Sequence, residues 1–448
     1  MSRKHDKQKS GQRRPLFGEG SWLDSLWGRI RRGVKNVANT QGLAEVDEAA
    51  EPIDFSTPSI PYYISLADKF HLARIVLYMV LFAFLAVTLL SSRQVITYEN
   101  LYYLVKDIDA ANITAKSQVN HLSYPLSQAT PDFALFRGGL VIAGGDEITA
   151  LSGSGKQTLS DNVSMTTPCV SAGGQYFIVY SRGEKNFTVY NAFAKMHKEV
   201  TDYPVYDACM GDDGSFGVLS RSMDYTSEVT WYDDDMSRLA ACHIGGYVVS
   251  MAMSPDSRTM VVLSMDTSAG EYVSKLTILR RDMGGNVTYD EVTQAGAVLG
   301  ACFLTDDRLC VMGDATLSIY RLDGTRLSEI ALDEDMPLLW GSSTGYVGVL
   351  CQSQSQLSQK YLKVFDKNGK MVYNVDVSSL GTPKTMVMDG QNVYILDAGY
   401  VLQIGHGGEV HQRATVDANT LTLMVSDLGE LLILAPAYAY YLSENDFR

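Results

Sequence analysis

The chain has 448 residues, 46% hydrophobic and 20% charged, which is enough apolar material for a sizeable buried core, and its formal net charge is -14. That charge is unevenly spread: residues 1–71 carry 11 Lys/Arg against 9 Asp/Glu, whereas residues 93–448 carry 25 against 42. So acidic a region argues against a nucleic-acid partner, whose phosphates demand clustered Lys and Arg.

Residues 1–37 hold ten Lys/Arg against Asp6, Glu19 and Asp24. Within SWLDSLWGRIRRGVKNV, Trp22, Leu23, Leu26, Trp27, Ile30, Val34 and Val37 recur at helical spacing, and Arg29, Arg31, Arg32 and Lys35 fall mostly on the other face. Tryptophan opposite arginine is the pattern of a helix lying on an anionic inner leaflet. A helix docking on a cytoplasmic protein would carry the same pattern, and a disordered stop-transfer tail is the third alternative. Residues 38–71, with Pro52, Pro58 and Pro61 among acidic residues, are expected to form a linker.

Residues 72–92, LARIVLYMVLFAFLAVTLLSS, supply the roughly 20 apolar residues that cross a hydrocarbon core, with Arg74 the single charge near one end. The unbroken run and the 70 residues before it argue for a transmembrane helix over a core helix or a cleaved signal peptide. The flanking charges nearly balance, so orientation rests on the basic tail, which predicts a cytoplasmic N-terminus and an extracytoplasmic remainder at the plasma membrane. Residues 93–130 are a connector, and 131–448 the large outer domain.

A turn followed by a short apolar strand recurs along that domain, as in GGLVIAG from Gly138, GGQYFIVYS from Gly173 and SPDSRTMVVLS from Ser254. With Val141, Ile178, Val218, Val261, Cys310, Val349, Tyr394 and Leu432 as marks, the spacings are 37, 40, 43, 49, 39, 45 and 38 residues. Eight units of about 40 residues have the period of a β-propeller. A second hairpin follows each mark, as in FTVYNAFAK from Phe187 and LKVFDKNGK from Leu362, so each unit holds four strands, the content of one blade. The expected fold is an all-β, eight-bladed propeller, with seven blades as the alternative. The last unit ends too early for a fourth strand. Residues 118–126 stand where a strand borrowed from the other end of the domain would lie.

MSPDSRTMVVLS resembles the inner hairpin of WD40-like propeller repeats, and LKVFDKNGK resembles the hairpins of quinoprotein-like propellers. The whole layout, a basic tail, one apolar helix and a propeller, resembles an uncharacterised family of single-pass Gram-positive bacterial membrane proteins. The resemblance implies a fold and an anchored layout, and no known activity.

Chemistry is hard to find in the sequence. Phosphate-binding, zincin, nucleophile-elbow and dinucleotide signatures are missing, so no catalytic or cofactor-binding residue is assigned. His406, Glu409 and His411 in HGGEVH could be metal ligands but fit a hairpin turn better, and no metal or cofactor is expected. The acidic groups Asp212–Asp213, Asp233–Asp235, Asp306–Asp307 and Asp333–Asp335 lack calcium-loop spacing and read as turn caps. Cys302 and Cys310 flank one hairpin and could face each other, although buried free thiols are the expectation for the cysteines. Asn112, Asn162, Asn186 and Asn286 lie in glycosylation sequons, which matter only in a eukaryotic secretory setting.

Three units carry polar insertions between their second and third strands: residues 221–228, 266–274 and 352–359. In a propeller these connections emerge on one face, and insertions on one face mark a binding surface. Tyr225, Glu228, Asp266, Glu271 and Tyr272 are therefore the candidate binding residues. The leading expectation is a non-catalytic binding or scaffolding module for a protein or cell-envelope partner. A quinoprotein-like or polysaccharide-active enzyme, and a receptor signalling through its tail, are the alternatives.

Overall fold

The computed structural model describes residues 70–71, 73–84 and 122–447, apart from 222, 224, 283, 333–334, 427 and 443–445. The chain divides into two units, Met1–Leu101 and Tyr102–Arg448. In the first, residues 70–71 and 73–84 are helical, with apolar side chains such as Ile75, Leu77, Met79 and Phe82 exposed. Among the described residues no helix is long and apolar enough to cross a membrane. Residues 72 and 85–92 of the expected span lie outside the described residues. So does the tail helix with Trp22, Trp27, Arg29, Arg31, Arg32 and Lys35.

The second unit is an eight-bladed β-propeller. Eight separate four-stranded antiparallel sheets follow one another, seven of them built from consecutive strands. In chain order blade 1 runs from Asp132 to Asn162, blade 2 from Pro168 to Val200, blade 3 from Val205 to Ile244 and blade 4 from Tyr247 to Ala295. Blade 5 runs from Val298 to Ala331, blade 6 from Asp335 to Asp376, blade 7 from Thr385 to Thr415, and blade 8 from Thr422 to Leu442. The first strands of successive blades touch one another, which makes them the innermost strands of the ring.

Blade 8 contributes only three strands of its own, and Leu122–Ser123 forms the fourth by pairing with Tyr438–Leu442, Leu122 opposite Ala439. Tyr124 then donates its backbone N–H to Ala437 O at 3.0 Å. Its hydroxyl reaches Ala435 O, and Tyr438 O at 2.9 Å. The ends of the domain are thus joined within one sheet, which removes the two edges that an open ring would expose.

Burial explains why the repeat is visible in the sequence. Every second strand is sandwiched between two neighbouring blades, so Gly139–Ala143, Phe177–Ser181 and Phe216–Ser220 are buried at every position and read as unbroken apolar runs. All eight sequence marks lie on second strands. Outermost strands such as Lys195–Val200 and Arg326–Ala331 alternate exposed and half-buried residues. The core is therefore eight clusters, one at each junction between adjacent blades, including the junction of blades 8 and 1.

Polar clasps reinforce these junctions. Tyr190 Oη donates to Asp161 Oδ2 of the preceding blade at 2.7 Å, and Tyr232 Oη to Glu199 Oε1 at 2.9 Å. At the equivalent position Tyr320 Oη accepts from Gln294 Nε2 at 2.7 Å. Such ring-edge hydroxyls bury an apolar body against one blade and satisfy a carboxylate on the next. Buried Asp397 gathers four donors, Gly381 N at 2.6 Å, Thr382 N and Ala398 N at 2.8 Å, and Tyr400 Oη at 2.6 Å. It thereby pins the connector between blades 6 and 7.

Candidate binding face

The connections between second and third strands share one end of the propeller with the starts of the innermost strands. At that end the innermost strands of blades 3, 4, 5 and 6 each carry a β-bulge, at Tyr206, Val249, Leu299 and Leu338. The innermost strands of blades 1, 2, 7 and 8 pair without a break. A bulge leaves one residue unpaired and re-aims its side chain. Here it does so four times in succession, always with an aromatic or aliphatic residue. Val249 and Leu299 are 38% and 45% exposed, whereas Tyr206 and Leu338 are half-buried and pack against the clusters of blades 3–4 and 6–7.

The insertions add to the same sector. Residues 266–274 are not a loop: the second strand of blade 4 runs to Ser268, the third starts at Glu271, and the register continues to Ser268 opposite Glu271. The turn is Ala269–Gly270, with φ of 54° and 87°, the two left-handed residues of a tight hairpin. The first strand pairs as far as Met265 and the fourth as far as Val273, so Asp266 to Tyr272 form a two-stranded arm beyond both neighbours. Asp266 Oδ1 caps the Thr267 N–H at 2.8 Å. Tyr272 is 56% exposed, and with Glu271 and Asp314 it lines an open groove against the connector between blades 4 and 5.

In blade 3, Tyr225 stacks on His243 with ring centroids 3.7 Å apart, and Glu228 Oε2 lies 3.7 Å from His243 Nδ1. Glu228 is a strand residue, directly opposite His243. The Arg221 guanidinium sits 4.5 Å from the Tyr206 ring and 5.1 Å from the Tyr247 ring. That contact ties the blade 3 insertion to the innermost strands of blades 3 and 4, and Asp266 packs against the Gly246 position between those blades. The structure thus places Tyr225 and Glu228 on blade 3 and Asp266, Glu271 and Tyr272 on the blade 4 arm, all at the end of the ring where second strands meet third strands. The third insertion, in blade 6, is largely self-contained, with Gln352 Nε2 donating to Leu357 O.

Sequence reasoning missed Arg221, Tyr247 and the four bulged positions. A bulge shows in sequence only as a one-residue slip in alternation, and strands of six to nine residues are too short to display it.

A second cluster, at blades 1 to 3, gathers Asp132, Cys169, Tyr180, Arg182 and Asp207. Burial raises both carboxyls above the usual range, against the pull of their hydrogen bonds and Arg182. Asp132 accepts from Val170 N at 2.9 Å and Phe133 N at 3.0 Å, and Asp207 from Tyr180 Oη and Ala208 N, each at 3.0 Å. Each carboxyl therefore joins one blade to the next, as Ser171 does for Met210 N, and the cluster is a junction.

Acidic turns behave likewise. Asp213 accepts from Ser215 N, Asp235 from Ser237 N, and Arg281 bridges Asp213 and Asp233. His406–Gly408 is a 3-10 turn with left-handed Gly407 and Gly408. Among the described residues no group of three or more His, Cys, Asp or Glu could hold a metal ion.

Residues 113–437 match the family described as Family of unknown function (DUF5711). The chain belongs to this family. The DUF5711 match takes in the closing strand Leu122–Ser123, blades 1 to 7 and the first two strands of blade 8, and leaves out the basic tail and the apolar segment. No curated protein matches the chain in sequence. Among solved structures, BamB from Moraxella catarrhalis is similar over 72% of this chain and 98% of its own, at 13% identity and a TM-score of 0.50. Sqt1 from Chaetomium thermophilum is similar over 72% and 97%, at 11% identity and a TM-score of 0.51. At these identities the likeness is one of fold alone.

Proposed function

We propose that this DUF5711 protein is a membrane-anchored, extracytoplasmic propeller that acts as a non-catalytic docking module, and that the bulged sector of blades 3 to 6 receives a protein or cell-envelope partner. The observation that carries the reading is the run of four consecutive bulges at the same end of the ring, two of which leave Val249 and Leu299 exposed, together with the blade 4 arm and its exposed Tyr272. An apolar crescent with an acidic rim is a typical interface composition. Anchoring rests on the apolar run at 72–92 and the basic tail. A quinone-type enzyme is less well supported: Trp231 is wholly buried between blades 3 and 4, and Trp340 packs in the junction of blades 5 and 6.

Photo-crosslinkers placed at Tyr225 and Tyr272 in intact cells should capture the same partner, and one at Leu428, on the opposite face, should not. Capture from Leu428 alone, or from none of the three, would defeat the proposal. Topology has its own test: a membrane-impermeant maleimide should label Tyr272→Cys in intact cells and leave a cysteine placed in residues 1–37 unlabelled.

A further inference from the structure

All six cysteines are free thiols. Most face partners of other kinds: Cys169 is opposite Tyr180, Cys209 opposite Gly217, and Cys242 opposite Val229. One pair differs. Cys302, on the first strand of blade 5 (Val298–Thr305), stands directly opposite Cys310 on the second (Arg308–Gly313). Directly opposed residues of an antiparallel pair share a face, with Cβ atoms about 4.5–5.5 Å apart. Small adjustments bring that separation to the roughly 3.5–4.5 Å of a disulfide.

The two thiols are not equivalent. Cys310 is wholly buried in the junction of blades 5 and 6, whereas Cys302 is half-buried. Cys310 and, from blade 6, Ser342 are the polar neighbours that act on the Cys302 sulfur. The interaction with Cys310 outweighs burial and holds Cys302 below the ordinary thiol range, while the same interaction and burial push Cys310 up. Cys302 is thus the more exposed residue of the pair, and Cys310 stands directly opposite it.

We propose that Cys302 and Cys310 form a dithiol reaction site for disulfide oxidants, in which Cys302 attacks and Cys310 resolves. The Cys302 thiolate attacks one sulfur of R–S–S–R, the S–S bond breaks, and the first R–S⁻ leaves and takes a proton from solvent. Cys310 then loses its proton to solvent, and its sulfur attacks the Cys302 sulfur of the mixed disulfide. The second R–S⁻ departs and a cross-strand disulfide remains. Two protein thiols are oxidised and one external disulfide is reduced to two thiols. The closed pair braces the innermost hairpin of blade 5, the hairpin that carries bulged Leu299. The site stands independently of the docking proposal.

The test uses the reduced full chain, oxidised glutathione as the probe, an acid quench, alkylation under denaturing conditions and peptide mass spectrometry. The expected result is a Cys302–Cys310 crosslink accumulating while Cys169, Cys209 and Cys351 remain alkylated. Cys310→Ser should hold glutathione as a stable mixed disulfide on Cys302, and Cys302→Ser should leave Cys310 unreacted. The wild-type crosslink decides the pairing whatever the variants' folding. Its absence, with glutathione appearing on other cysteines or on none, overturns the proposal. So does failure of a Cys310→Ser protein with wild-type circular dichroism to retain glutathione on Cys302.

Discussion

Replacing Leu122 by alanine removes the buried aliphatic side chain of the two-residue strand that closes the ring. Leu122 is 4% exposed and packs with Tyr124, Phe133, Leu140, Leu432 and Leu434 at the junction of blades 8 and 1. Loss of its three terminal carbons costs roughly 2.4 kcal/mol in transfer alone, and the cavity left between two blades brings the total to about 3 kcal/mol. For a domain of this size that is a fall in Tm on the order of 4 °C. Tyr124→Phe removes the hydroxyl from Ala435 O and Tyr438 O and costs about 1 kcal/mol, because the Tyr124 N–H to Ala437 O bond stays. Thermal unfolding followed by circular dichroism reads both. A chain starting at Thr130, with the closing strand gone, should lose its single cooperative transition. A Leu122→Ala protein melting within about 1 °C of wild type, together with an unchanged melt of the shortened chain, would refute closure by this strand.

Asp397 makes a pH-dependent contribution. Burial raises its carboxyl, but the hydrogen bonds from Tyr400, Gly381, Ala398 and Thr382 outweigh that and leave it below the usual carboxylate value. Because the folded value lies under the unfolded one, its stabilisation is complete above the unfolded pKa and is lost as the pH falls through the folded one. Asp397→Ala should cost about 3 kcal/mol at neutral pH by stranding the donors, and the deficit should shrink in acid denaturation scans. Tyr190→Phe and Tyr232→Phe, at different blade junctions, should each lower stability by about 1 kcal/mol in urea titrations and add in the double variant. At Gly300 a Cβ would lie 2.6 Å from Trp340 Cζ2. Gly300→Val should therefore displace that ring, cost about 2 kcal/mol, and change the Trp340 fluorescence of the folded protein.

Legibility followed burial. Second strands are covered on both faces, so runs such as FIVYS and YVGVL kept an apolar signal strong enough to count the blades. The widest spacing, 49 residues between Val261 and Cys310, reflects the long second, third and fourth strands of blade 4. DTSAGEYVS read as a loop because an arm exposed on all sides has no apolar face to reveal its pairing. Tyr225 and Tyr272 were reachable from the position of the insertions alone. Tyr206, Val249, Leu299 and Leu338 were not, because a bulge is a property of pairing, and a strand does not record its own register. The tyrosine clasps recur visibly as FTVY, VTWY and LSIY, but their carboxylate and amide partners lie on other blades at variable offsets.

The most direct test of the docking account is a binding titration with the partner captured at Tyr225 and Tyr272. Val249→Lys together with Leu299→Lys places two charges on the bulged crescent, and Leu428→Lys changes the opposite face. The double variant should bind at least about tenfold more weakly, corresponding to roughly 1.4 kcal/mol or more, while melting like the wild type, and Leu428→Lys should bind as tightly as wild type. Undiminished affinity of the double variant would contradict the assignment of that face.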